Sequence, residues 1–223
     1  MSSISLIIVL GVGILCFLML LLIIFLIFWG AKQTTEFVAS TIELLNWNFS
    51  SLQVEASKGG LFDPPHIQAY SRDPNHFLQK IDIKRVVRHV GKVTIPELKL
   101  TTIIRRNTAT LPFSVTIKPK GLFNNPAHKL NINIPRVELL RFFPANPDLL
   151  MNYFQQDNFE LLSSIAHIKS LRECQFTTFN GTRSFYYTAV FHKDSLNQAL
   201  DLIRSFLQLE SINRSRDDTN LNW

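Results

Sequence analysis

The chain has 223 residues, 46% of them apolar, and carries 23 Lys and Arg against 17 Asp and Glu, a formal net charge of +6. That length and balance argue against a disordered chain, a collagen-like repeat or a disulfide-stapled miniprotein. Two cysteines make no disulfide framework: Cys16 lies in an apolar run and Cys174 far from it, where a small buried hydrophobe is the expected role.

In chain order, residues 4–29 come first. These 26 residues contain no charge, and Ser5 and the weakly polar Cys16 are their only polar side chains. A bilayer core about 30 Å thick needs roughly 20 helical residues, so 1–30 reads as a transmembrane anchor. A cleaved signal peptide has a basic start and an apolar stretch of roughly 7–15 residues. This run lacks the basic start and ends on bulky side chains, so a retained signal anchor is expected. Trp29 and Lys32 fit the membrane-interface positions at its end. No Lys or Arg precedes the span and Lys32 follows it, which leans to a single-pass membrane protein with its soluble domain cytoplasmic.

Residues 31–47 carry apolar side chains at Phe37, Val38, Ile42, Leu44 and Leu45, the spacing of a juxtamembrane amphipathic helix or stalk. From Leu52 the period changes to two. Leu52/Val54/Ala56, Ile81/Ile83, Val93/Ile95, Leu98/Leu100, Phe113/Val115/Ile117 and Leu130/Ile132/Ile134 alternate with other residues, the mark of half-buried strands. Turn signals such as Asp63-Pro64-Pro65, Asp73-Pro74-Asn75 and Gly91-Lys92 separate them. This predicts an antiparallel, β-rich region of about six or seven strands over 48–136, with Pro96, Pro112 and Pro119 at strand ends or edges.

The pattern turns helical again over 137–210. Asn146-Pro147 caps a helix at 149–154 and a second follows at 159–171. Asn180-Gly181 between two aromatic and β-branched runs predicts a hairpin. Asp194 or Ser195 caps a last helix with Leu196, Ala199, Leu200, Ile203, Phe206 and Leu207 on one stripe. Residues 211–223 read as a polar flexible tail. The fold class is therefore α+β: an N-terminal transmembrane helix, an antiparallel β-rich region, then helix–helix–β-hairpin–helix, with 48–210 as one soluble composite domain.

The positive charge is local. Residues 80–120 hold ten basic residues and two acids, Asp82 and Glu97, a net of +8, while the rest of the chain carries 13 basic and 15 acidic residues, a net of −2. A basic patch on a sheet face close to a bilayer points to anionic lipid headgroups or an acidic membrane protein. Lys80, Lys84, Arg85, Arg88, Lys92, Arg105 and Arg106 are its candidate residues. Nucleic acid is not the expected partner, because Phe113 is the only aromatic in this window and occupies an inward strand position.

The chemistry-bearing patterns are sparse. The sequence has no Gly-x-Ser-x-Gly elbow, no phosphate-binding Gly-rich loop, no Cys-x-x-Cys and no His pair at metal-ligand spacing. Asp63-Pro64-Pro65-His66 and Asp73-Pro74-Asn75-His76 could converge into a loop site if they flanked a hairpin, but Asp-Pro is ordinary turn chemistry. No catalytic residue, metal site or cofactor is expected. The sequence thus reads as a non-enzymatic scaffold or accessory interaction protein, in contact with the lipid bilayer through residues 4–29. A carrier of a hydrophobic ligand and an enzyme with a dispersed site stay open as alternatives.

Overall fold

The structure is a computed structural model and describes residues 3–57, 59, 63–105, 113–121, 136–146, 159–179 and 181–220. Its first element is one helix, α1 (Ser3–Asn48). The apolar run and the expected stalk are turns of the same rod, about 70 Å long at 1.5 Å per residue. Nothing interrupts it, since the first proline of the chain is Pro64. Leu10–Asn48 includes a window long and apolar enough to cross a membrane, which makes α1 a candidate membrane-anchor helix.

Eight strands follow: β1 (Gln53–Ser57), β2 (His66–Tyr70), β3 (Leu78–Val90), β4 (Val93–Arg105), β5 (Phe113–Pro119), β6 (Leu140–Pro144), β7 (Leu171–Phe179) and β8 (Thr182–Val190). They form one sheet in the order β1-β2-β3-β4-β8-β7-β5-β6, with every neighbouring pair antiparallel. The fold is α+β. The β7–β8 hairpin sits between β4 and β5, so the β-rich stretch and the helical stretch share a sheet. That hairpin closes from Phe179 to Thr182. Gly181 takes φ +70°, a conformation glycine adopts without steric cost.

One face of the sheet carries the core. Ile67, Ile81, Ile83, Leu98, Leu100, Val115, Ile117, Phe142, Cys174, Phe176, Phe185 and Tyr187 alternate along their strands and are fully or almost fully buried. Among the described residues three helices cover them. The last turns of α1 contribute Phe37, Val38, Thr41 and Leu45. Helix α2 (Phe159–His167) adds Leu161, Leu162 and Ile165, and α3 (Ser195–Asn220) adds Leu200, Ile203 and Phe206. The apolar positions on α3 are three and four apart, so a single face meets the sheet. At the centre, Phe206 stacks on Phe185 at 5.3 Å and lies 6.0 Å from Phe176.

The structure differs from the sequence reading in four places. β2 and β6 are five-residue strands that short alternation did not reveal. Val93/Ile95 and Leu98/Leu100 belong to one strand, with Pro96 inside it. Pro96 is tolerated because β8 ends beside it: its carbonyl accepts from the Phe191 amide at 2.8 Å, and no strand beyond needs its missing N–H. Third, α3 continues to Asn220 through part of the expected tail, since extending a formed helix is far easier than starting one. Fourth, the second helix ends at His167, residues 168–170 form a turn, and Leu171 opens β7. The Leu130–Ile134 strand signal, Pro112 and the helix at 149–154 lie outside the described residues.

Replacing Phe206 with Ala removes the ring that packs on the stacked Phe176–Phe185 pair. It should destabilise the domain by about 3–5 kcal/mol, as large-to-small core changes do. The exposed Phe179→Ala should stay within about 0.5 kcal/mol. Denaturant titration of both variants of the full chain measures the difference.

Candidate functional site

Helix α1 has two different surfaces in series. Every side chain from Leu10 to Trp29 is exposed, whereas Phe37, Val38, Thr41 and Leu45 form a buried stripe. Thr41 carries no unmet polar group into the core, because its hydroxyl donates to the Phe37 carbonyl at 2.6 Å. Trp29 leans on Phe25 at 5.9 Å, and Lys32 lies 3.9 Å from Glu36, both of them solvated. The expected interface residues thus sit just below the point where the helix meets the domain.

The strands run along this helix. After Asn48 the chain reverses, and β1 descends beside α1. Gln53 pairs with Tyr70 and Ser57 with His66, and on β3 these match Lys80 and Lys84. The His66 end of this ladder reaches the foot of the domain. There Pro65, Arg85 and Val87 face Gly30, Gln33 and Thr34 of α1 across an opening of about 560 Å³. The lengths agree: about 15 helical residues from Asn48 to Gln33 and about six strand residues from Lys80 to Val86 each cover roughly 20 Å.

β3 and β4 outrun their neighbours. β2 pairs with β3 only as far as Lys84, and β8 pairs with β4 only from Glu97. Residues 86–95 therefore form a two-stranded arm that projects past the foot of the sheet, and its root is closed by the Arg85 amide on the Pro65 carbonyl at 3.3 Å and the Phe191 amide on the Pro96 carbonyl at 2.8 Å. Its tip is a two-residue turn in which Gly91 has φ +60° and Lys92 keeps the ordinary sign, as a type II′ turn requires.

The sequence-predicted cations are distributed by this geometry. Lys80 and Lys84 share the open face and flank Asp82 at 3.4 and 3.9 Å. His66 Nε2 lies 2.9 Å from the same carboxylate, and Gln68 donates to it at 3.1 Å. Arg85 points to the other face, where its guanidinium stands 4.5 Å from the Phe191 ring centre and burial lowers its pKa. Arg88 lies 3.6 Å from the buried Glu97. Lys92 is in the tip turn. Arg105 is at the far end of β4 and donates to the Pro74 carbonyl at 2.6 Å. Arg106 is outside the described residues. The +8 segment is thus not one uniform face. Lys80 and Lys84 gather at one of its two acids and Arg88 at the other, a signal the bare charge count hid.

Further polar groups were not evident from the sequence. Beside the arm, Lys99, Arg172, Tyr186 and Thr188 line an opening of about 500 Å³ with Glu97, whose Oε1 makes no hydrogen bond there. Along α1, Ile42, Leu44 and the exposed Trp47 border a shallow groove to which Ser40, Glu43 and Asn46 add polar groups. The two Asp-Pro units do not converge. His66 sits at the foot of β2 on Asp82, while His76 lies past its other end and bonds the Leu78 carbonyl at 2.8 Å. Asp73 accepts from the Asn75 amide at 2.8 Å, as a turn aspartate does. Among the described residues no group of three or more His, Cys, Asp and Glu side chains could hold a metal ion.

Burial alone would raise the Asp82 pKa, but the His66 hydrogen bond and charge, Lys84 and Gln68 outweigh it and hold the carboxyl below its usual value. Folding therefore favours the ionised form. That contribution is complete above the unfolded value of about 3.9 and is lost as the pH falls through the lower folded value. Asp82→Asn should flatten the loss of stability below about pH 4 relative to the parent. Denaturation midpoints measured from neutral to acid pH check this.

No protein-family model matches the chain, and no curated protein matches it. Among solved structures, the crystal structure of the mycobacterial trehalose monomycolate transport factor A, TtfA, is similar over 74% of this chain and 90% of that chain, with 11% sequence identity and a TM-score of 0.41.

Proposed function

We propose that this protein is a non-enzymatic scaffold or accessory subunit, tethered by one membrane span, that offers its open sheet face to an acidic partner in the same membrane. The observation that carries this reading is the continuity of α1, which is both the apolar span and a structural member of the domain core. A flexible linker would let a domain wander over many orientations. A continuous helix with four side chains buried in the core sets a single posture. Since the strands run along α1, the sheet stands upright on the bilayer and its open face looks along the membrane plane.

That posture favours a protein over headgroups as the partner of the face. Lys80, Lys84 and Lys99 project sideways, and Lys99 makes no ion pair among the described residues. Lys80 stands about 13 Å above Lys84 along the strand, beyond the Debye length of about 8 Å at physiological salt. An acidic segment of a neighbouring protein reaches both; a flat anionic surface reaches only the lower one. The lack of nucleophile, phosphate-loop and metal-ligand motifs supports a binding role over a catalytic one. Lys32, just after the span, supports a cytoplasmic domain.

A photoreactive residue at Lys99 of the full chain in its native membrane should capture a membrane protein through an acidic segment. A matched residue at Asn197, on the helical side, should not. Combining the probe with Lys80→Glu and Lys84→Glu should cut capture by about an order of magnitude, since like charges repel at such an interface. Equal capture from both faces, or capture unaffected by the charge reversals, overturns the reading. A topology reporter fused after Trp223 checks the side.

A further inference from the structure

We infer that the tip of the β3–β4 arm, residues 87–93, dips into the interfacial layer of the bilayer that α1 crosses, as a second, reversible membrane contact. This rests on the upright posture proposed above and adds the lipid surface as the arm's own partner.

The arm is apolar on the wrong face for the core. Within the sheet, Ile81, Ile83, Leu98 and Leu100 point to the helices. Beyond Lys84 and Glu97 the apolar positions change phase in both strands. Val86, Val90, Val93 and Ile95 fall on the opposite side, as the pairs Val90↔Val93 and Arg88↔Ile95 require. Val87 takes the remaining face, so the tip is apolar all round. Val87, Val90 and Val93 are 57, 49 and 60% exposed. Protruding β-branched side chains on an otherwise unpaired hairpin are a hazard in water, and a set of them concentrated at one extremity marks a contact surface.

The location and charge identify the surface. Arg85 and Val87 stand level with Gly30 and Thr34 of α1, one turn past Trp29. From Val87 the strand continues three residues to Val90, about 10 Å. That brings the tip level with the last turns of the apolar span. Residues 85–96 contain Arg85, Arg88 and Lys92 and no acid. Lys92 is exposed beside the valines, with Arg88 on Glu97 behind it, an arrangement that puts methyl groups at the acyl boundary and a cation at the phosphates. The outer edges of both strands still carry open backbone N–H and C=O groups, which forbids entry into the hydrocarbon core. The depth is therefore interfacial, about 5–10 Å, as for other amphipathic membrane elements.

The test uses the full chain in nanodiscs with roughly one third anionic phospholipid. Cys16→Ser removes the exposed thiol; Cys174 is retained, because it is fully buried. An environment-sensitive fluorophore is placed in turn at Val90→Cys, at Val93→Cys and, as a distal reference, at the exposed Asn75→Cys. A headgroup-proximal spin-labelled lipid should quench the two tip sites about threefold more than the reference, and aqueous iodide should show the reverse order. Equal behaviour at all three sites overturns the inference. So does a tip shielded from iodide but untouched by the lipid quencher, which would mean that protein covers it. With the label at Lys92→Cys, the triple change Val87→Ser, Val90→Ser and Val93→Ser should abolish the lipid quenching while the protein stays in the alkaline-carbonate membrane pellet. Release of the parent chain by carbonate would instead mean that the anchor reading itself fails.

Discussion

The burial of the last turns of α1 against the sheet governs the rest of the structure. Four side chains, Phe37, Val38, Thr41 and Leu45, tie the apolar rod to the core. Phe37 also meets Phe191 edge-on at 5.5 Å, and Phe191 closes the end of β8 on Pro96. The helix, the sheet end and the root of the arm are therefore one packed unit. Because the chain reverses after Asn48 into β1, the strands must run along the rod. The end of the sheet nearest the apolar span is then the His66–Lys84 end, from which the arm projects. Had α1 ended at Gly30 and a flexible linker followed, none of these directions would be set.

The electrostatics depend on the same arrangement. Alternation sends neighbouring residues to opposite faces, so Lys84 and Arg85 cannot share a function although they adjoin in sequence. One joins the Asp82 cluster on the open face and the other covers an aromatic ring on the helical face. Elsewhere the domain uses charge for cohesion. Arg183 Nη1 donates to both carboxylate oxygens of the fully buried Glu210, at 2.6 and 2.7 Å, and so pins α3 to β8. Pairs of this kind are costly to break because the remaining charge would be stranded out of water. Within the basic segment Arg85 and Arg88 are likewise engaged inside the fold, so the charge left open on its surface is smaller and more directional than +8.

Much of the architecture was legible from residue patterns. The uncharged run, the Asn180-Gly181 turn and the α3 stripe are strong local signals, and local hydrogen bonding or local burial produces each of them. β2 was missed because His66-Ile67-Gln68-Ala69-Tyr70 offers only two apolar positions, one of them an alanine. Its strand identity comes from pairing with β3, which no short window contains. The placement of the β7–β8 hairpin between β4 and β5 is likewise a long-range choice. So is the arm: alternation at Val93/Ile95 is visible, but that its phase opposes Leu98/Leu100 matters only once both pairs are known to lie in one strand.

That change of phase also explains why the arm cannot be a truncated piece of sheet. A strand continuing the core pattern would present its valines to α1 and α3 and would recruit β2 and β8 to lengthen beside it. Instead the valines at 86, 90 and 93 turn away from the helices, while Glu97 and Lys84 mark the level where both neighbours stop. Polar residues at that boundary favour hydrated backbone over further pairing, as charged residues do at sheet edges. The apolar tip beyond them then has no internal surface to cover. Its solvation depends on what lies below the domain, on the side to which the apolar stretch of α1 extends, and in the proposed posture that is the bilayer.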